Sequence, residues 1–139
     1  MIKVTQQEVD EAIRLHNLRA KEGRPGKQAD FSNKDLSGLD LSGAELCDID
    51  FSFAYLVGAN LSRADLSRAD LRRANLDGAD LSFANLRDTD LCDVNLRRAD
   101  LRGTDLRYTD LCEVILDGAT YNSKTLFPNL GAKMIFSED

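Results

Sequence analysis

The sequence has no tryptophan, one histidine, two prolines and three cysteines, and aromatic residues fill only 6% of its 139 positions. A chain with one histidine and no tryptophan is poorly equipped to be an enzyme. No apolar run approaches the ~20 residues of a membrane-spanning helix, so a soluble protein without membrane contact is expected. The opening residues MIKVTQQEVD carry charges where a secretory signal needs an apolar stretch. The expected compartment is therefore the cytoplasm, with thiols kept reduced. Basic charge is also short: 18 Lys and Arg face 24 Asp and Glu, a net charge of −6. Duplex binding depends on cations that neutralise phosphates, so no direct nucleic-acid binding is expected. What is present is apolar bulk, 42% of the residues. That suffices for the core of one ordinary domain and argues against disorder.

The bulk is arranged in a repeat. From Phe31 through Leu36, Leu41 and Leu46 to Leu126, an apolar residue recurs every five positions without an insertion, giving twenty consecutive pentads. Leu fills seventeen of the twenty centres, and Phe31, Phe51 and Tyr121 fill the others. Two positions before the centre stands a small residue, usually Ala, and between the two stands Asp or Asn in fifteen units. A period of five fits neither a helix nor a flat strand. The small and central residues are two apart, so both face inward on a very short strand. The step of three to the next unit breaks the alternation, and the chain must turn a corner there. Ser, Gly, Arg and Asp crowd these corners, as turn chemistry requires. Corners repeated in one sense wind the backbone into a coil whose successive turns pair edge to edge at ~4.8 Å. The period alone leaves the number of pentads per turn open. Gly38, Gly58, Gly78 and Gly118, like Phe31 and Phe51, lie in a register of twenty and favour four.

The run ANLSRADLSRADLRRANLDGADLSFANL, residues 59 to 86, resembles the pentapeptide-repeat family, whose unit is Ala-(Asp/Asn)-Leu-X-X. The likeness extends over residues 29 to 128. It implies an all-β solenoid, a right-handed quadrilateral β-helix of about five coils. Lys34 and Lys124 depart from the pattern at small inward positions, and Tyr55, Ile115, Thr120 and Thr125 depart from it at Asp or Asn positions.

A solenoid's end coils leave unpaired edges and an apolar cross-section that need covering. Thr5-Gln6-Gln7-Glu8 reads as a capping box, and Val4 with Val9 as a hydrophobic staple, which predicts a helix from about residue 6. Val9, Ala12, Ile13, His16 and Ala20 form its apolar stripe, ended by Gly23 and Pro25. The expected organisation is a capping helix and linker over 1–28, the repeat over 29–128 and a C-terminal cap over 129–139. Leu130 to Phe136 is apolar enough to cover the last coil, or to join two chains as a weak homodimer; otherwise the protein is a monomer.

Four sides sort the outward charges into columns. The column through centres 31, 51, 71, 91 and 111 carries Asp30, Asp50, Asp70, Asp90, Asp93, Asp110 and Glu113 against Arg72 and Arg73, a net of −5. The other outward columns carry −1, −1 and −2. Asp50, Asp70, Asp90, Asp93, Asp110 and Glu113 are thus the candidate partner-binding residues. Against that stands the plain structural role of Asp and Asn, whose short side chains bond nearby turn backbone. His16 is expected to pack rather than to catalyse. Cys92 and Cys112 share a column one coil apart, ~5 Å between Cα atoms, a span that a disulfide tolerates. Parallel stacking and a reducing compartment argue for free thiols instead, and Cys47 lies in another column. Two thiols without a His or a third Cys fall short of a zinc site. The carboxylates do not indicate a glycosidase, because clefts are built from long corner insertions and the repeat has none. No nucleophile–base pair, phosphate loop or dinucleotide fingerprint is present.

The expectation is therefore a non-enzymatic scaffold without cofactor or metal, presenting a rigid surface to a protein partner that the sequence does not name. The resemblance also implies an alternative. Some bacterial relatives mimic duplex DNA, bind type II topoisomerases such as gyrase and protect cells from quinolones. Five coils would span ~24 Å, along which a duplex shows about 14 phosphates, so a net of −5 is thin. Arg72, Arg73, Arg97 and Arg98 dilute it further, and those mimics are longer and pair through a C-terminal element.

Overall fold

The structure is a computed structural model and describes residues 1–23 and 28–129. Leu130 to Phe136, expected to cap the last coil or to join two chains, lies outside the described residues.

One unit shows how the coil is made. In residues 74 to 78 the side chains of Ala74 and Leu76 point inward and are buried, while Asn75, Asp77 and Gly78 lie outward. Leu76 N–H donates to Asn95 O and Gly78 N–H to Arg97 O, each at 2.8 Å, one turn further on. Asn75 N–H donates to Ala54 O at 2.9 Å, one turn back. Each unit is thereby tied to both neighbours, and its backbone polar groups are satisfied. The corner closes with Ala79 N–H donating to Leu76 O at 3.0 Å. The residue before the closing one carries a φ between 54° and 73° at every fifth position from Asn33 to Gly118.

Parallel bridges join residues twenty apart, from Asp30–Asp50 to Asp100–Thr120, so four pentads complete a turn. Each side contributes a single bridging residue, shorter than the expected strand. The only two-residue strands among the described residues are β1 (Ile2–Lys3) and β2 (Lys34–Asp35), paired in parallel. The core is one continuous stack of Leu with smaller Ala, Val and Ile, in which Leu46, Leu56, Leu66, Leu76, Leu86 and Leu96 have no exposed surface. Phe31 and Phe51 stack within it at 5.5 Å.

Helix α1 (Gln6–Glu22) closes the first turn. Its capping box is formed: Glu8 N–H donates to Thr5 Oγ1 at 3.2 Å, and Thr5 N–H to Glu8 Oε2 at 2.7 Å. Gly23 ends the helix in the left-handed conformation, φ 61°. The Val4 backbone and polar side chains of α1 then complete the exposed ladder. Val4 N–H donates to Asp35 O at 3.1 Å. The Gln6 amide substitutes for a strand, accepting from Asp40 N–H at 2.8 Å and donating to Asp40 O at 2.7 Å. Asn17 donates to Glu45 O at 3.0 Å. His16 packs, as expected, but with two bonds: Nδ1 accepts from Ala29 N–H at 3.1 Å, so Nε2 carries the proton donated to Cys47 O at 2.8 Å. An edge that would template association is consumed.

The last unit departs from the expected phase. Asp105 bridges Leu126, twenty-one residues on, so one residue is inserted near Tyr121 and Asn122. Leu126 therefore takes the outward bridging position and is exposed, while Phe127 moves toward the core. Thr125 fills the small inward position, donating from Oγ1 to Leu101 O at 2.7 Å, as Thr104 does to Leu81 O at 2.8 Å. Lys124 is exposed at the corner rather than turned inward. Asn122 makes the insertion possible: its Oδ1 accepts Gly103 N–H at 3.1 Å, replacing the backbone carbonyl that the regular coil would supply.

Candidate functional site

All outward chemistry begins at the bridging Asp or Asn. In each of the fifteen units that have one, its Oδ1 accepts the backbone N–H two residues on, at 2.8 to 3.1 Å. The short side chain thus holds the corner, the use to which Asx turns put these residues. One carboxylate oxygen of each aspartate remains for other partners.

The acid-rich column is a continuous ladder, Asp30–Asp50–Asp70–Asp90–Asp110. Asp93 and Glu113 stand on its corner with φ of 58° and 54°. The two arginines of the column are spent within it. Arg72 Nη2 meets Asp70 Oδ2 at 2.6 Å, with its Nε 3.7 Å from Asp90 Oδ2, and Arg73 Nε lies 3.6 Å from Asp93 Oδ2. The Arg72 guanidinium holds the Asp70 carboxyl below the usual carboxylate range. Among the described residues no ion pair reaches Asp50, Asp110 or Glu113. Arg72 and Arg73 therefore offset two of the three carboxylates in the middle of the column, while Asp50, Asp110 and Glu113 have no such partner, a pattern that counting charges does not show.

The remaining corners are occupied differently. Arg68 pairs with Asp48 at 2.9 Å and Arg98 with Asp77 at 2.7 Å, each across coils. Arg107 pairs with Asp105 at 2.8 Å within one unit. Arg63 lies over Phe83, Arg73 over Phe53 and Arg87 over Tyr108, 5.1 to 5.5 Å from the ring centres. Such exposed pairs add little stability each, but they fix where the charges sit.

Cys92 and Cys112 share a column one coil apart, as expected. Their Cα atoms are 4.8 Å apart and their side chains face one another across the two coils. The Asp110 carboxylate lies within 4.8 Å of both sulfurs, a third polar group that the sequence reading did not bring there. The signal was present in Asp110-Leu111-Cys112, because the Asx turn folds the first residue back onto the third.

A filled interior and patterned exterior define a β-solenoid in which only the outward side chains are open to other molecules. The model for pentapeptide repeats, eight copies long, matches residues 48–82 and 79–118. A pentapeptide repeat protein from Nostoc Pcc 7120 is 35% identical over 94% of this chain and 89% of its own, with a TM-score of 0.54. One from the Arabidopsis thaliana thylakoid lumen is 33% identical over 66% of this chain and 60% of its own, TM-score 0.52. One from the cyanobacterium Cyanothece 51142 is 36% identical over 74% of this chain and 67% of its own, TM-score 0.49. The chain belongs to the pentapeptide repeat family, whose members form right-handed quadrilateral β-helices. No curated protein matches it.

Proposed function

We propose that this protein is a non-enzymatic scaffold that uses the acid-rich column to engage a protein partner in the cytoplasm. The observation that carries the reading is the ladder itself. Asp50, Asp70, Asp90 and Asp110 are held at backbone-fixed spacing by bridges and by their own Asx bonds, so the surface needs no ordering on binding. Asp50 at one end, and Asp110 with Glu113 at the other, are the contact points, with Asp90 and Asp93 between them. The core of stacked leucines leaves no room for a substrate, which supports a role without chemistry. Arg72 and Arg73 offset two of the three carboxylates in the middle of the column, and this uneven charge disfavours the DNA-mimic alternative, since a duplex carries charge uniformly.

The test exploits the turn chemistry. Asp→Asn removes a charge and keeps the Oδ1 acceptor, as Asn60, Asn75, Asn85 and Asn95 already demonstrate. Pull-down from native extract is compared for wild type, for Asp50→Asn/Asp90→Asn/Asp93→Asn/Asp110→Asn, and for Asp40→Asn/Asp80→Asn on another side. Loss of a captured protein in the first variant and its retention in the second supports the column; an unchanged capture in both overturns it. Inhibition of gyrase supercoiling by the purified protein at micromolar concentration would replace the scaffold reading with topoisomerase binding.

A further inference from the structure

Cys92 and Cys112 are a pair of side chains suited to covalent chemistry on this surface, and their setting is built. Both follow a central leucine in the same column, one turn apart, and a Cα separation of 4.8 Å lies inside the range that a disulfide spans without backbone movement. The backbone on each side is pinned. Cys92 N–H donates to Asp90 Oδ1 and Cys112 N–H to Asp110 Oδ1, both at 3.1 Å. Arg73 N–H donates to Cys92 O at 3.0 Å, and Asp93 N–H to Cys112 O at 2.9 Å. Bond formation therefore asks only for side-chain rotation. Cys112 is exposed and Cys92 half-buried, so one sulfur is open to a reagent and the other stands behind it. Two sulfurs and one carboxylate leave zinc short of its usual four ligands, whereas the two sulfurs alone suffice for a disulfide.

The third cysteine shows the contrast. Cys47 is half-buried and its Sγ accepts from Ser67 Oγ at 3.4 Å. Burial pushes its thiol up, away from the reactive thiolate.

We propose that Cys92 and Cys112 form a reversible disulfide clamp, in which the more exposed Cys112 reacts first, that fastens the last coil to the one before it. That coil is where a clamp has something to hold. Leu91, Val94, Leu96 and Ala99 are buried, but their counterparts one turn on, Leu111, Val114, Leu116 and Ala119, are only partly so. In a solenoid each turn is held by its neighbours, so the least buried turn opens first. The oxidant is a low-molecular-weight disulfide. Cys112 thiolate attacks one of its sulfurs, forming a mixed disulfide and expelling one thiolate. Cys92 thiolate then attacks the Cys112 sulfur and expels the second. Two protein thiols are oxidised, one disulfide is reduced to two thiols, and the protons from Cys112 and Cys92 end on the two released thiols.

The full-length protein, reduced and then exposed to oxidised glutathione, tests this by acid quenching, alkylation and peptide mass spectrometry. The expected product links Cys92 to Cys112 within one chain and leaves Cys47 alkylated. Cys92→Ser should instead accumulate glutathione on Cys112, because nothing is left to displace it. Oxidation should raise the Tm of wild type by about 5 °C or more, reversibly with dithiothreitol, and leave that of Cys92→Ser unchanged. Wild type that retains glutathione on Cys112 beside a free Cys92, or that links Cys112 to a second chain, would overturn the clamp.

Discussion

A left-handed backbone costs a non-glycine residue about 1–2 kcal/mol, yet residues such as Asn33, Asp48, Arg68 and Tyr108 adopt it at corners along the coil. The ladder repays that strain: the N–H of the same residue often donates to the next turn, as Arg73 N–H does to Cys92 O at 3.0 Å. Glycine is thus a convenience at most corners and a requirement where something lies above it. Gly43 has φ 65° and open space where a Cβ would stand, whereas a Cβ on Gly103, φ 70°, would fall 2.5 Å from Phe83 Cδ1. Gly43→Ala should cost about 1 kcal/mol, the conformational term alone. Gly103→Ala should cost roughly 0.5–1 kcal/mol more, because the Phe83 ring must swing away from Arg63, 5.1 Å above it. Chemical denaturation of the two variants measures the difference, and equal losses would mean that the ring contact contributes nothing.

The elements differ in how much of them the residues announce. Leucines five apart and the Asp or Asn before them are a local pattern, repeated without regard to distant contacts, so the solenoid, its inward rows and the corner residues could be read directly. The helix start was legible for the same reason: Thr5 and Glu8 are three residues apart and satisfy one another. Charge pairing was not legible, because it depends on which rotamer Arg72 or Arg98 adopts between coils; the candidate aspartates could be named, but not which of them are paired. The last unit misled because Leu126 falls in phase while the insertion hides behind Asn122, whose side chain imitates a backbone carbonyl. That correction has a measurable consequence. Leu126→Ala should cost less than about 1 kcal/mol, as an exposed position does. Phe127→Ala should cost more, about 1–3 kcal/mol for a partly buried ring packed on the core and edge-on to Tyr121 at 5.6 Å. Thermal melts of the two variants distinguish the registers, and the reverse order would restore the unshifted phase.

For the whole molecule the controlling quantity is the number of carboxylates tied to the fold. Arg102 and Arg107 hold Asp100 and Asp105 below the usual carboxylate range, as Arg72 does Asp70; backbone donation from Ser37 lowers Asp35. A carboxyl that ionises more readily in the folded state adds stability above its unfolded pKa, about 3.9 for Asp, and loses it as the pH falls through the lower folded value. Protonation also strips the anions that oppose 18 Lys and Arg, so the rod is left with uncompensated positive charge. The Tm, followed by circular dichroism, should therefore fall steeply between about pH 4 and pH 2. Asp70→Asn/Asp100→Asn/Asp105→Asn keeps every turn acceptor and removes the shifted groups. This triple variant should melt lower than wild type at pH 7 and lose less on acidification, so that the two curves converge near pH 2. If both proteins lose the same Tm across that interval, these three carboxyls are not the source of acid sensitivity, and the charge of the rod as a whole must carry it.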